Sequence, residues 1–163
     1  RYSGILHNLC IGFTQINIDA KNATINFEFV SDGTKGTVSG FQAEVGINWS
    51  DLSSSKVKGS VDATTLTTNN KMRDNHLKKS FFKVAEFPTM TFESGGISKM
   101  GDKYKMTGTF TIGGVSQNEE VLFEVKDGKI MGETTINSYR YEVSPKKDGK
   151  SDVKIQFIIP LVE

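Results

Sequence analysis

The sequence predicts an all-β fold: an antiparallel β-barrel of about eight strands with one inserted α-helix at about residues 70–84. Three observations carry this expectation. Apolar and polar residues alternate with period two in segment after segment, which puts one set on each face of a pleated strand. Gly, Asn and Asp residues separate the segments as turns. Glycines inside the strands (Gly40, Gly59, Gly108 and Gly132) mark bends or bulges, which a curling barrel needs more than a flat sandwich does.

The series opens with Ile25, Phe27 and Phe29 alternating with Thr24, Asn26 and Glu28. Phe41, Ala43, Val45 and Ile47 share one face of 37–47, and Val57, Gly59, Val61 and Ala63 share one face of the next segment. Met90 and Phe92 follow, then Tyr104, Met106, Gly108, Phe110 and Ile112. Val121, Phe123 and Val125 run into Asp127-Gly128, a strong hairpin signal, and Ile130, Gly132, Thr134 and Ile136 return. Residues 153–161 close the chain. Between 69 and 84 the spacing turns helical: Leu77, Phe81 and Val84 stand at i, i+4 and i+7. Asn69 or Asn70 caps its start, Asp74 pairs with Lys78, and Pro88 stops it.

With 163 residues the chain suits one domain, read as a lead-in segment 1–14 and a single barrel domain 15–163. A formal net charge of +1 lacks the basic excess of a nucleic-acid binder, so no nucleic acid is expected as a partner. Cys10 is the one cysteine, which excludes an internal disulfide. His7, Asn8 and Leu9 before it lack the small residues of a lipidation site. The stretch 5–13 is too short and too polar to span a bilayer, so no transmembrane segment is expected. Without a starting Met or a signal peptide, the chain reads as a processed form or an engineered fragment.

Two histidines, one cysteine and no nucleophile elbow or phosphate loop leave no common catalytic or metal motif, so no cofactor, metal or catalytic residue is assigned. Eleven Phe against one Trp and four Tyr suit either a dry core or an apolar cavity. The densest polar stretch, 64–77, admits two readings. It is a strand end with a capped helix and a solvated Arg/Asp pair, or a lid where polar groups and Arg73 meet a ligand head while Phe81 and Phe82 close over its tail.

The same stretch carries a family resemblance. Val61 to Asn69, then Arg73-Asp74-Asn75-His76-Leu77, Phe81-Phe82 and Phe87-Pro88-Thr89-Met90-Thr91-Phe92, resembles the signature of the YceI-like family. Gly40-Phe41, the segments 104–114 and 132–140, and Val153-Lys154-Ile155 extend the likeness in order from about residue 15 to the end. Departures are local. The run Lys78-Lys79-Ser80 before the Phe pair is basic and one residue short, Gly113 replaces a cation, and Asn118-Glu119 stand where Lys-Pro is common. The late Asn-Arg pair is split as Asn137 and Arg140.

The resemblance implies an extended lipocalin-like barrel that binds a long apolar small molecule: a polyisoprenoid, an isoprenoid quinone or a fatty-acid amide. It also implies a periplasmic or secreted location, dimers among members, and no shared catalytic residues. On that basis Phe27, Phe29, Phe41, Phe81, Phe82, Phe92, Met106, Phe110 and Phe123 are expected at the lumen, with Thr67, Asn69, Arg73 and His76 at a polar head. Two other classes stay open. One is a lipid-modifying enzyme using His76, Asp74 or Glu93, and the other is a stress-related interaction protein whose own side chains fill the core.

Overall fold

In a computed structural model, residues 13–143 and 151–162 are described. His7, Cys10 and the lead-in up to residue 12 lie outside them. Nine strands form one antiparallel sheet: β1 (Phe13–Ile16), β2 (Thr24–Phe29), β3 (Thr34–Asn48), β4 (Lys56–Thr67), β5 (Thr89–Met100), β6 (Lys103–Ile112), β7 (Val115–Lys126), β8 (Lys129–Asn137) and β9 (Asp152–Pro160). Each strand from β4 to β9 pairs with the next, β9 pairs with β2, β2 with β3, and β3 with β4. That last pairing closes the sheet on itself.

The ninth strand does not add to the circumference. Both β1 and β2 pair along the same edge of β3, with Ile16 opposite Val45 and Ile25 opposite Val38. Nine residues separate the first pair on the incoming side and seven on β3, so β1 and β2 are one strand interrupted by two surplus residues. A 3₁₀ turn at Ala20–Asn22 takes up the interruption. Eight strands therefore close the barrel, as the alternation predicts.

Glycines serve this curvature in two ways. Gly40 has φ +73° at the register shift between Ser39 and Gln42 of β3, where a side chain would strain the backbone. Gly132 lies opposite Phe157, and a Cβ there would come within 2.4 Å of the ring.

One seam of the wall is incomplete. Pairing between β7 and β8 runs from Lys126–Lys129 only as far as Leu122–Glu133, although both strands continue. Inside, the apolar side chains form two clusters rather than one core. Phe27, Leu66, Leu77, Phe82, Ile112, Ile136 and Tyr141 gather at one end. Val45, Ile47, Ile97, Met106 and Val121 gather toward the other.

The first end is covered by the segment between β4 and β5. The helix expected at about 70–84 is shorter: α1 spans Lys71–His76 and passes into a π turn, Leu77–Phe81, closed by the Phe82 N–H donating to the Leu77 carbonyl at 2.9 Å. Lys83 then takes a left-handed conformation, φ +49°, which ends the run. The π turn adds a residue to the repeat. Leu77 and Phe82 are therefore the buried pair, and Phe81 and Val84 are only half-buried.

Asn70 provides the cap, its side chain accepting from the Arg73 N–H at 3.0 Å. Asp74 forms no ion pair with Lys78; it is buried against the end of β4 instead. Its Oδ1 accepts the Thr68 N–H at 2.7 Å and the Thr68 hydroxyl at 2.5 Å, and its Oδ2 accepts the Thr67 hydroxyl at 2.8 Å. The Thr68 hydroxyl bond, with the Thr68 N–H and the Thr67 hydroxyl, holds the Asp74 carboxyl below the usual carboxylate range against the opposing effect of burial. A depressed folded-state pKa stabilises above the unfolded value near ~4 and loses that contribution as pH falls through the folded value. Asp74→Ala is expected to lower stability at pH 7 by about 2 kcal/mol. It should also flatten the decline below about pH 4. Urea melts of both proteins at pH 7, 4 and 3 check this, and parallel acid declines would contradict it.

Candidate ligand cavity

Between the two clusters runs a cavity of about 430 Å³. Alternation builds it: every second residue of each strand faces inward. Its lining includes Phe27, Phe41, Phe92, Met106, Phe110 and Phe123, with Phe82 from the lid. Among the described residues, no charged side chain lines it, and its polar members include Ser60, Thr91, Thr134, Ser138 and the tyrosines Tyr104 and Tyr141. Trp49 and Val125 line it while about half exposed, at 55% and 49%, so the cavity opens at the end that carries their turns. Leu66, Phe82, Ile112 and Tyr141, all buried, close the other end.

Three of the polar members are engaged. The Thr134 hydroxyl donates to the Glu120 carbonyl at 2.7 Å, and the Ser138 hydroxyl to the Ser151 carbonyl at 2.9 Å. The Tyr141 hydroxyl donates to Glu119 at 2.6 Å. Burial raises the Tyr141 pKa above its ordinary value, and the bond to the Glu119 carboxylate adds to this. Tyr141 therefore stays neutral and acts as a fixed donor.

Seven of the nine apolar residues expected at the lumen line the cavity. Phe29 and Phe81 do not; both pack against the cluster at the closed end. For Phe81 the cause is the π turn, which passes the inward position to Phe82. None of Thr67, Asn69, Arg73 and His76 reaches the cavity. Thr67 is held by Asp74, Asn69 has φ +60° in the turn before α1, and the His76 ring meets Phe81 edge-on at 5.5 Å. The Arg73 guanidinium donates to the Thr68 hydroxyl at 2.8 Å and to its carbonyl at 3.1 Å.

Sequence reasoning passed over Val45, Val121, Ile155 and Phe157, which also line the cavity. Their signal is present in the alternation, since Val121 shares a face with Phe123. Tyr141 had no such signal, because it sits in a 3₁₀ turn, Ser138–Tyr141, outside any alternating run.

The YceI-like domain model matches residues 16–161, nearly the whole described barrel. The chain belongs to the YceI-like family. It is 29% identical over 123 residues to Protein YceI of Salmonella arizonae and equally to that of Salmonella paratyphi B, matching 73% of this chain. The match spans 62% of the length of those relatives. Among solved structures, BcnA of Burkholderia cenocepacia superposes with a TM-score of 0.78 at 21% identity, over 90% of this chain and all of its own. The YCEI protein of Campylobacter jejuni gives 0.67 at 26% identity, over 80% and 86%. A polyisoprenoid binding domain of Saccharophagus degradans, implicated in plant cell wall breakdown, gives 0.60 at 12% identity over 92% and 97%, a likeness of fold. No helix among the described residues is long and apolar enough to cross a membrane, and no group of His, Cys, Asp and Glu among them could hold a metal ion.

Because Arg73 braces the lid from outside the cavity, Arg73→Ala should lower the melting temperature by several degrees. It should leave affinity for an apolar fluorescent probe within about twofold, a change worth less than half a kcal/mol. Thermal melts and probe titrations check this; a tenfold loss of affinity would place Arg73 in contact with ligand.

Proposed function

We propose that this protein binds a long apolar molecule in the barrel lumen and carries or stores it unchanged. A polyisoprenoid, an isoprenoid quinone tail or a fatty-acid amide fits the lumen. The carrying observation is the lining: about 430 Å³ of space with, among the described residues, no charged side chain and few free polar groups. Water is a poor occupant, because an ordered water needs two to four polar partners. An apolar chain is a good one, since each methylene taken from water contributes about 0.8 kcal/mol. Drug-sized ligands realise nearer ~0.3 kcal/mol per heavy atom, still enough for tight binding by a long chain.

The polyisoprenoid-binding neighbour of the same fold supports this ligand class. Family membership supports the further reading that the protein works in the periplasm or after secretion, in some settings as a homodimer. The cavity weighs against an interaction module with a filled core. Reaction in the lumen is the weaker reading, because His76, Asp74 and Glu93 stand outside the lining.

Native mass spectrometry of protein from its own host is expected to show co-purified lipid, and prenyl and acyl probes should saturate at one per chain. Ala43 lines the lumen. Ala43→Phe should therefore cut probe affinity at least tenfold while keeping or raising the melting temperature, because it fills a void. Absence of lipid together with absence of probe uptake would overturn the proposal.

A further inference from the structure

The inner face of β7 carries one carboxylate among apolar residues and a glutamine. Residues 115, 117, 119, 121, 123 and 125 share that face by the two-residue repeat, and residue 119 is a carboxylate. The Glu119 side chain is 7% exposed and lies where β7 and β8 have ceased to pair. Beyond that point side chains hold the wall. Thr134 donates to the Glu120 carbonyl, and the Gln117 amide exchanges bonds of 3.0 and 3.1 Å with Arg140. Oε2 of Glu119 accepts the Tyr141 hydroxyl at 2.6 Å and faces the Arg140 guanidinium at 3.4 Å. Among the described residues, Oε1 accepts no hydrogen bond.

A second, polar cleft is lined by Thr107, Asn118, Glu119, Glu120, Thr134 and Thr135. Thr134 lines both this cleft and the main cavity. Tyr141 lines the cavity while its hydroxyl holds Glu119 of the cleft. Thr134 and the Tyr141–Glu119 bond thus stand between the apolar lumen and the polar cleft. No backbone ladder need break for this junction to open.

A long lipid has a polar end, and burying that end unpaired is costly. Glu119, its side chain 7% exposed, supplies beside the lumen an acceptor whose free oxygen faces the polar cleft. A carboxylate or phosphate head would meet like charge there, and Arg140 is already shared between Glu119 and Gln117. We propose that the β7–β8 seam is the head-group subsite of the cavity, taking a neutral hydrogen-bond-donating head, an alcohol or an amide, on Glu119. The assignment rests on the lumen reading above.

Two photoreactive long-chain alcohols test it on the unmodified protein, one with a diazirine next to the hydroxyl and one with it at the tail. The head probe should label peptides covering 117–120 or 134–141, and the tail probe other lumen residues. A head label at the turns 49–55 or 127–128, with the tail label inside, would overturn the seam and leave the lumen reading standing. No label inside the barrel from either probe would overturn both. Competition between an alcohol and a carboxylate of equal chain length adds a second readout. The folded protein should prefer the alcohol by about tenfold or more, the worth of a charge-assisted bond. Glu119→Gln should narrow that preference to about twofold with hydrocarbon affinity unchanged; an undiminished preference would overturn the assignment.

Discussion

Pairing of β3 with β4 closes the sheet, and closure sets a circumference that the inward side chains must fill or leave empty. Eight strands enclose just enough width for side chains to meet or for one small ligand to lie between them. Here they leave space: buried apolar residues cluster toward each end, Phe110 packs against both clusters, and residues of both line the cavity. Cavity-forming substitutions in other cores cost about 24 cal/mol per Å³, which puts a dry void of this size on the order of 10 kcal/mol. That equals the whole net stability of a typical domain. A space of such cost, lined mostly by apolar groups, is accounted for by an apolar occupant.

The rest of the structure positions that space. A lid crosses one end, anchored by Asp74 on Thr67 and Thr68 and capped by Asn70, so polar residues that look like a head-group site brace a structural joint. Its π turn directs Phe82 into the lumen and leaves Phe81 at the side. The opposite end is open at Trp49 and Val125. Between them, side chains bridge the β7–β8 seam where backbone pairing stops, and Glu119 sets a carboxylate on the inner face beside it.

Most of the barrel was legible in the sequence because alternation is a direct image of a two-faced strand. Strand order follows from consecutive hairpins, closure adds the pairing of β9 with β2, and Gly40 marks its bulge. What was illegible has physical causes. A π turn shifts a helical stripe by one residue without any compositional mark, which misplaced Phe81 and Val84. Hydrogen bonding decides whether Thr67 and Arg73 face a ligand or the backbone, and spacing carries no trace of that choice. Tyr141 and Glu119 meet across 22 residues through a gap in strand pairing that no local pattern announces.

Lid, seam and lining all surround a hollow interior. Its most direct measurement is a crystal structure of the protein grown with a terminally brominated long-chain alkane, read by bromine anomalous scattering. A bromine peak inside the barrel, between Phe110 and Val45, with chain density continuing along the lumen, is the result expected. Well-ordered side chains meeting across that space, with bromine found only at the surface, would contradict it.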